Sequence, residues 1–282
     1  KLMRELPEVD GFFPMPTAGD TTTSIGAAYV VYAARMREQG SEPCIASLGP
    51  LYLGDESTDM EIEDVLNTWW QADVLTSDGE RMTRGEDVLH SAPDVKWDFQ
   101  HSSNVDDLAA DLIIKGEIVA RCHGPMEFGA RALGNRSILC DSTRLENVGV
   151  INRAIKSRDF WMPFAPVILE ARADELIKRP VYSPYMTTAF DTTPAGQECL
   201  RAAMHQADFT VRPQILRNSW NPDYYRILRM FEGETGHGGM LNTSFNLHGE
   251  PIVHGPREAL RTFFNSGLKY LVLGDYLVSK HG

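Results

Sequence analysis

Four segments of this 282-residue chain carry residue types able to handle an anionic substrate. The first is His123-Gly124-Pro125-Met126-Glu127-Phe128-Gly129-Ala130-Arg131-Ala132-Leu133-Gly134-Asn135-Arg136-Ser137. It sets two arginines five apart in a glycine-rich stretch, with Asn135 and Ser137 flanking the second. Glycine lets the backbone approach a ligand and show N–H groups to an anion. A guanidinium presents a planar fork that matches phosphate or carboxylate oxygens. The competing reading is an exposed loop whose arginines pair with Glu127 and Asp141. The second segment, Asn152–Pro166, puts Lys156 and Arg158 at the end of an expected helix. Cations there also complement the helix dipole. Phe160, Trp161 and Phe164 follow, suited either to a purine face or to a core. In the third, Asp208–Gln214, alternation gives Asp208, Thr210, Arg212 and Gln214 one strand face, turned to a pocket or to solvent. The fourth, Leu241–Val253, offers Thr243, Ser244, Asn246 and Glu250 in a polar loop after an apolar strand. Ligand sites of α/β proteins gather at such strand ends, and the same residue types also make plain turns.

Charge supports a small anionic ligand. Net charge is −12, which argues against a nucleic-acid surface. Residues 121–165 nevertheless hold seven Lys/Arg against four Asp/Glu, a +3 island in a remainder of −15. A local cationic island fits a pocket better than a polyanion track. The four cysteines (Cys44, Cys122, Cys140, Cys199) show no CxxC spacing and read as reduced thiols of a cytoplasmic protein. The eight histidines form no HExxH, so a zinc site made by this chain alone is not expected. No run approaches the roughly 18 apolar residues of a membrane span, and no secretory leader is seen. GxxxxGK[ST] and GxSxG are both missing, which excludes a P-loop and a nucleophile elbow. The chain begins at Lys1 rather than Met, which reads as a start inside a longer product or after processing.

These segments must be positioned by alternating elements. Helices are expected at Thr22–Gln39, Asp59–Trp70, Val105–Lys115, Arg144–Ser157, Asp174–Arg179, Pro222–Glu232 and Pro256–Asn265. Strands are expected at Ile118–Cys122, Phe164–Leu169, Met186–Phe190, Phe209–Arg212, Gly239–Thr243, Tyr270–Leu273 and Tyr276–Ser279. Residues 72–104 read as loop-rich or as a short hairpin. Short strands mixed with helices give an α/β (α+β) class with a mixed sheet.

Taken in order, the segments resemble the O-carbamoyltransferase family of NodU/CmcH type. That family's EFGxRALGNRSIL, INxxIKxRxxFxPFAP, DxTxRxQ and NTSFNxxGEPIV patterns read here as Glu127–Leu139, Ile151–Pro166, Asp208–Gln214 and Asn242–Val253. Gly19-Asp20 with Ile25-Gly26-Ala27-Ala28 also fits. Two positions depart: Ala130 stands where the family usually has Pro, and Met162 where it often has Arg.

The resemblance implies residues 1–47 as a remnant of an actin-like (ASKHA) transferase domain. It implies residues 48–282 as a YrdC-like domain, a mixed twisted sheet with flanking helices. Such a domain makes carbamoyl adenylate from ATP and carbamoyl phosphate, for transfer to a hydroxyl of a secondary metabolite or sugar. Lys156, Arg158, Ser244 and Asn246 stand at its nucleotide-phosphate positions, as catalytic residues. Arg131, Asn135, Arg136, Ser137, Arg212, Thr243 and Glu250 are the expected ATP and carbamoyl phosphate ligands. Mg²⁺ is expected with ATP. An iron-type metal belongs only to the full-length parent, because the HxxxH that holds it lies upstream and Asp20 alone cannot. Expected partners are therefore ATP and carbamoyl phosphate, with no nucleic acid and no membrane, plus an N-terminal transferase domain or a second copy. The alternatives are a non-catalytic nucleotide or anion sensor and a structural subunit that completes a separate transferase domain.

Overall fold

Alternating side chains build a core on both faces of one sheet. The computed structural model describes residues 1–17, 19–46, 48–69, 96–159 and 161–281, and the backbone of 74–75 and 81–82. Strands β1 (Val74–Leu75) and β2 (Arg81–Met82) form a small antiparallel pair. The main sheet uses β3 (Lys96–His101), β4 (Val119–Cys122), β5 (Arg136–Cys140), β6 (Ala165–Leu169), β9 (Gln214–Leu216), β10 (Gly239–Ser244), β11 (Tyr270–Leu273) and β12 (Tyr276–His281). Their order is β3-β12-β11-β4-β5-β10-β6-β9. β11 runs parallel to β4, and β6 to β9, while the other pairs are antiparallel. β7 (Phe190–Asp191) and β8 (Thr210–Val211) pair separately.

Helix α1 is Thr23–Glu38, α2 Asp59–Thr68, α3 Val105–Ile114, α4 Glu146–Ile151, α5 Ala173–Leu176, α6 Pro194–Cys199, α7 Pro222–Thr235 and α8 Pro256–Phe264. Val119, Leu139, Met240, Val272 and Leu277 point to one face, where α3 and α7 supply Ala109, Ile113, Ile227 and Phe231. Ala120, Ile138, Leu241, Leu271 and Val278 point to the other, against Leu66 of α2, Ile151 of α4 and Phe263 of α8. Period-two alternation thus produces the two layers of helices. Local signals set the helix ends. Thr58 and Glu61 form a capping box on α2. Asn221 Oδ1 accepts from Tyr224 N at the start of α7, and Gly236 closes that helix in the left-handed region. The α/β class and the mixed sheet with flanking helices are as expected.

Several expected elements change. Arg136–Cys140 is a central strand, where the motif reads as loop. All five of its residues are buried, so it has no polar alternation to reveal it. The helix expected over Arg144–Ser157 is α4 followed by a π-helical turn, Asn152–Lys156, ended by Ser157 at φ 44°. Met186 sits at φ 56°, outside any strand, and only Phe190 of the expected Met186–Phe190 strand pairs. The polar row of Asp208–Gln214 does not exist as one face. Pro213 separates β8 from β9, Asp208 turns back to accept from Thr210, and Gln214 is buried in the main sheet. The strand β3 falls in the stretch read as loop-rich, although Trp97 and Phe99 alternate with polar neighbours.

Residues 1–17 pack onto the body. Lys1 pairs with Asp191 at 2.7 Å, Glu5 with Arg179 at 3.0 Å, and Phe13 meets the Tyr185 ring edge-on. Helix α1 buries only Ala33.

The registers bring one rim of the sheet together. Cys122 faces Arg136, Ser137 faces Ser244, Asn242 faces Ala165, Leu273 faces Cys122, and Tyr276 faces His101. The loop between β4 and β5 lies on this rim and depends on Gly134. Its φ is +122°, and a Cβ there would stand 2.3 Å from Tyr224 Cδ1. Gly134→Ala is expected to lower stability by ~3 kcal/mol, read as the shift of a urea denaturation midpoint.

Candidate anion-binding site

At the end of β10, Ser244 and Asn246 receive Lys156. Its Nζ donates to Asn246 Oδ1 at 2.6 Å, Ser244 Oγ at 3.1 Å and the Asn246 carbonyl at 3.2 Å. Ser244 Oγ donates to Asn246 Oδ1 at 2.6 Å. The Asn246 amide nitrogen donates to the carbonyls of Leu247 and Glu250, which fixes the oxygen toward Lys156. Lys156 is buried, and its ammonium is lowered to about 7 by burial and then by Arg158.

Three arginines surround this centre. Arg158 Nη2 donates to Thr243 Oγ1 at 3.3 Å, and its guanidinium lies 4.9 Å from the centroid of the Phe164 ring. Arg212 Nη1 donates to the Met186 carbonyl at 2.8 Å. Burial, Arg131 and Arg158 lower Arg212 to about 10, and burial and Arg131 lower Arg158. Arg131, Arg158, Arg212, Thr243 and Ser244 line one small cleft. It adjoins a cavity of about 680 Å³ bounded by Arg131, Arg212, Phe128, Pro14, Thr17 and Gly19. The charges felt by Lys156, Arg158 and Arg212 are all cationic. A cluster of mutually repelling, half-desolvated cations is stable only at a cost, and an anion relieves it.

Not every expected ligand arrives here. Asn135, Arg136 and Ser137 are buried and spend their side chains on the fold. Asn135 Oδ1 accepts from Arg121 and Asn221. The Arg136 guanidinium donates to the carbonyls of His254 and Gly124. Ser137 Oγ accepts from Gly134 N. Glu250 directs its carboxylate to Arg261 at 3.3 Å and serves the site through its carbonyl. The alternative in which the motif arginines pair with Glu127 and Asp141 does not occur either. Asp141 pairs with Arg144, and Glu127 accepts backbone N–H groups. Phe164 is core, and Phe160 lies outside the described residues. Sequence reasoning missed Arg121, buried and bonded to Asp106 and Asn135, and Tyr52, whose hydroxyl donates to the Leu133 carbonyl. Neither sits in a recognisable motif.

The far end of the rim is acidic. Asp59, His101 and Asp275 bring their ligand atoms within 4.8 Å of one another. A second cavity of about 420 Å³ lies between Asp59, Asp275, His123 and Arg136. His123 Nδ1 stands 2.6 Å from Arg121 Nη2, and burial with that guanidinium lowers its pKa. Asp20, the expected metal carboxylate, stands in no group of potential ligands among the described residues. The four cysteines are free thiols. Among the described residues no helix is long and apolar enough to cross a membrane.

The sequence profile described as "Carbamoyltransferase C-terminus" matches residues 110–280. The chain belongs to that family. This carbamoyltransferase C-terminal chain is 33% identical over 275 residues to "Nodulation protein NolO" of Bradyrhizobium diazoefficiens, covering 96% of this chain and 45% of that protein. It is 31% identical over 195 residues to "3'-hydroxymethylcephem-O-carbamoyltransferase" of Amycolatopsis lactamdurans, covering 67% and 36%. The chain thus spans less than half the length of these relatives. Among solved structures, T. kodakarensis HypF overlaps 66% of the chain and 23% of its own at 16% identity and a TM-score of 0.43. E. coli YciO overlaps 61% and 79% at 14% identity and 0.42.

Proposed function

We propose that the cleft around Lys156 forms carbamoyl adenylate from ATP and carbamoyl phosphate, as the adenylate-forming part of an O-carbamoyltransferase. The observation that carries this reading is the convergence of Arg131, Arg158 and Arg212 on one cleft, with Lys156 bonded behind it to the lining Ser244 and only cations among the charges that shift Lys156, Arg158 and Arg212. In the chemistry, water cleaves carbamoyl phosphate to carbamate and phosphate. A carbamate oxygen then attacks the α-phosphorus of ATP, the Pα–O–Pβ bond breaks, and pyrophosphate leaves. Negative charge accumulates on phosphoryl oxygens as that bond breaks, and fixed cations lower the barrier. Lys156 and Arg158 would meet those oxygens. Arg131 and Arg212 would hold the phosphates, and Ser244 and Asn246 would orient the carbamoyl group. Mg²⁺ would accompany ATP. The cleft lining supplies no carboxylate for it among the described residues.

Transfer of the carbamoyl group to a hydroxyl would then fall to a transferase portion that lies mostly outside this chain. The 1–47 segment would be its last stretch. A structural role for that segment gains support from α1, where Val30 and Val31 are 70% and 53% exposed. Light scattering after size-exclusion chromatography reads whether that face pairs two copies.

The test of function is exchange of radiolabelled pyrophosphate into ATP, dependent on carbamoyl phosphate. Wild type is expected to exchange. Arg131→Ala is expected to lose about 10²–10³-fold, the scale of one removed oxyanion donor. Wild-type exchange that survives Arg131→Ala undiminished would move the chemistry elsewhere. Tight ATP binding with no pyrophosphate release would favour a nucleotide sensor.

A further inference from the structure

Arg131 lines the cleft with no side-chain partner among the described residues. Among the described residues its guanidinium makes no hydrogen bond or ion pair. Its backbone, by contrast, is closely held. The chain leaves Glu127, passes through Arg131, and returns so that Glu127 Oε1 accepts from Leu133 N at 2.7 Å, Asn135 N at 2.8 Å and Arg136 N at 3.1 Å. Glu127 is itself anchored. It bridges to Tyr52, and Phe128 N donates to the Leu51 carbonyl at 2.7 Å. The far side of the loop is caught at the Leu133 carbonyl by Tyr52 and Gln214, and at the Ala132 carbonyl by Asn242.

We propose that Glu127 is a positioning residue for Arg131: its buried carboxylate closes the 127–136 loop and thereby sets the direction of the guanidinium. The inference rests on the reading above that Arg131 binds substrate oxygens. Glu127 is 5% exposed and makes no ion pair with Lys or Arg among the described residues, and three backbone N–H groups meet its Oε1. Hydrogen bonds to an ionised acceptor are about twice as strong as neutral ones, and low dielectric preserves that strength. Three of them on one oxygen restrict the loop far more than its sequence would. Releasing them lets Arg131 sample directions that miss the phosphate. A misplacement of about 1 Å at a binding group costs up to about 10²-fold.

Two variants test this. Glu127→Gln keeps the side-chain shape and removes the charge. Glu127→Asp keeps the charge and withdraws the oxygen by one methylene. Each is checked for folding by thermal melting, and the folded one is used. In carbamoyl-phosphate-dependent pyrophosphate exchange, KM for ATP is expected to rise about tenfold or more, with a smaller change in kcat. Combined with Arg131→Ala, the Glu127 substitution is expected to add almost nothing, because both act through one guanidinium. Fully additive losses, or an unchanged KM, would overturn the proposal. Amide exchange gives a second readout that does not need activity. Leu133, Asn135 and Arg136 are expected to exchange at least about tenfold faster in the variant, with the rest of the sheet unchanged. If wild type shows no pyrophosphate exchange, the catalytic reading fails, and this measurement alone decides the loop. Unchanged protection there would overturn the role of Glu127.

Discussion

Lys156→Met lowers carbamoyl-phosphate-dependent pyrophosphate exchange by about 10²–10³-fold, about 3–4 kcal/mol of transition-state stabilisation. Lys156 is buried behind the cleft, held by the lining Ser244 and by Asn246 and beside Arg158. Methionine fills a similar volume and removes only the charge and its donors. The loss should appear in kcat, because charge grows on the phosphoryl oxygens during transfer. Lys156→Arg is not a conservative rescue. A planar fork cannot occupy the point between Ser244 Oγ and Asn246 Oδ1 that one ammonium fills at 3.1 and 2.6 Å. Equal exchange by wild type and Lys156→Met would remove Lys156 from the chemistry.

Affinity for a non-titrating anion falls about tenfold per pH unit above about 7 and then levels off. Sulfate is the probe, since its own charge is constant through this range. The free protein loses the Lys156 proton near 7, and a bound anion holds that proton. Binding therefore takes up a proton above this point, and alkaline pH opposes it. Arg158 and Arg212 keep their charge across the window, so a residual pH-independent affinity remains. Lys156→Met flattens the profile, and calorimetry in buffers of different ionisation enthalpy measures the proton uptake directly. A flat wild-type profile would contradict the assignment of Lys156. Stability of the free protein follows the same group. The unfolded chain keeps the proton up to the usual 10.5, while the folded chain releases it near 7. Unfolding takes up a proton between these values, so this residue makes stability rise with pH across that window.

Much of the site was legible in the sequence because it depends on residue type at short range. Lys156 with Arg158, and Ser244 with Asn246, are two residues apart in polar loops at element ends, and the registers of β10 with β5 and β6 bring these loops together. Arg131 and Arg212 converge on the same cleft from two further loops. Arg136 could not be distinguished from Arg131 by type. Its side chain turns inward because β5 is buried on both faces, so it serves the carbonyls of His254 and Gly124 instead of an anion. The role of Glu127 was hidden for the same reason. It depends on backbone N–H groups six to nine residues away, and no residue pattern encodes those partners. The π-helical turn that ends at Lys156 also escaped, since a regular 3.6-residue period fits Val148, Ile151 and Ile155 equally well.

The rim of the sheet holds two concavities of opposite character, and one crystal structure with ATP and carbamoyl phosphate decides between them. Phosphate oxygens within hydrogen-bond distance of Lys156 Nζ and of the Arg131, Arg158 and Arg212 guanidinium groups are the predicted result. Nucleotide seated instead in the cavity between Asp59, Asp275 and Arg136 would contradict it.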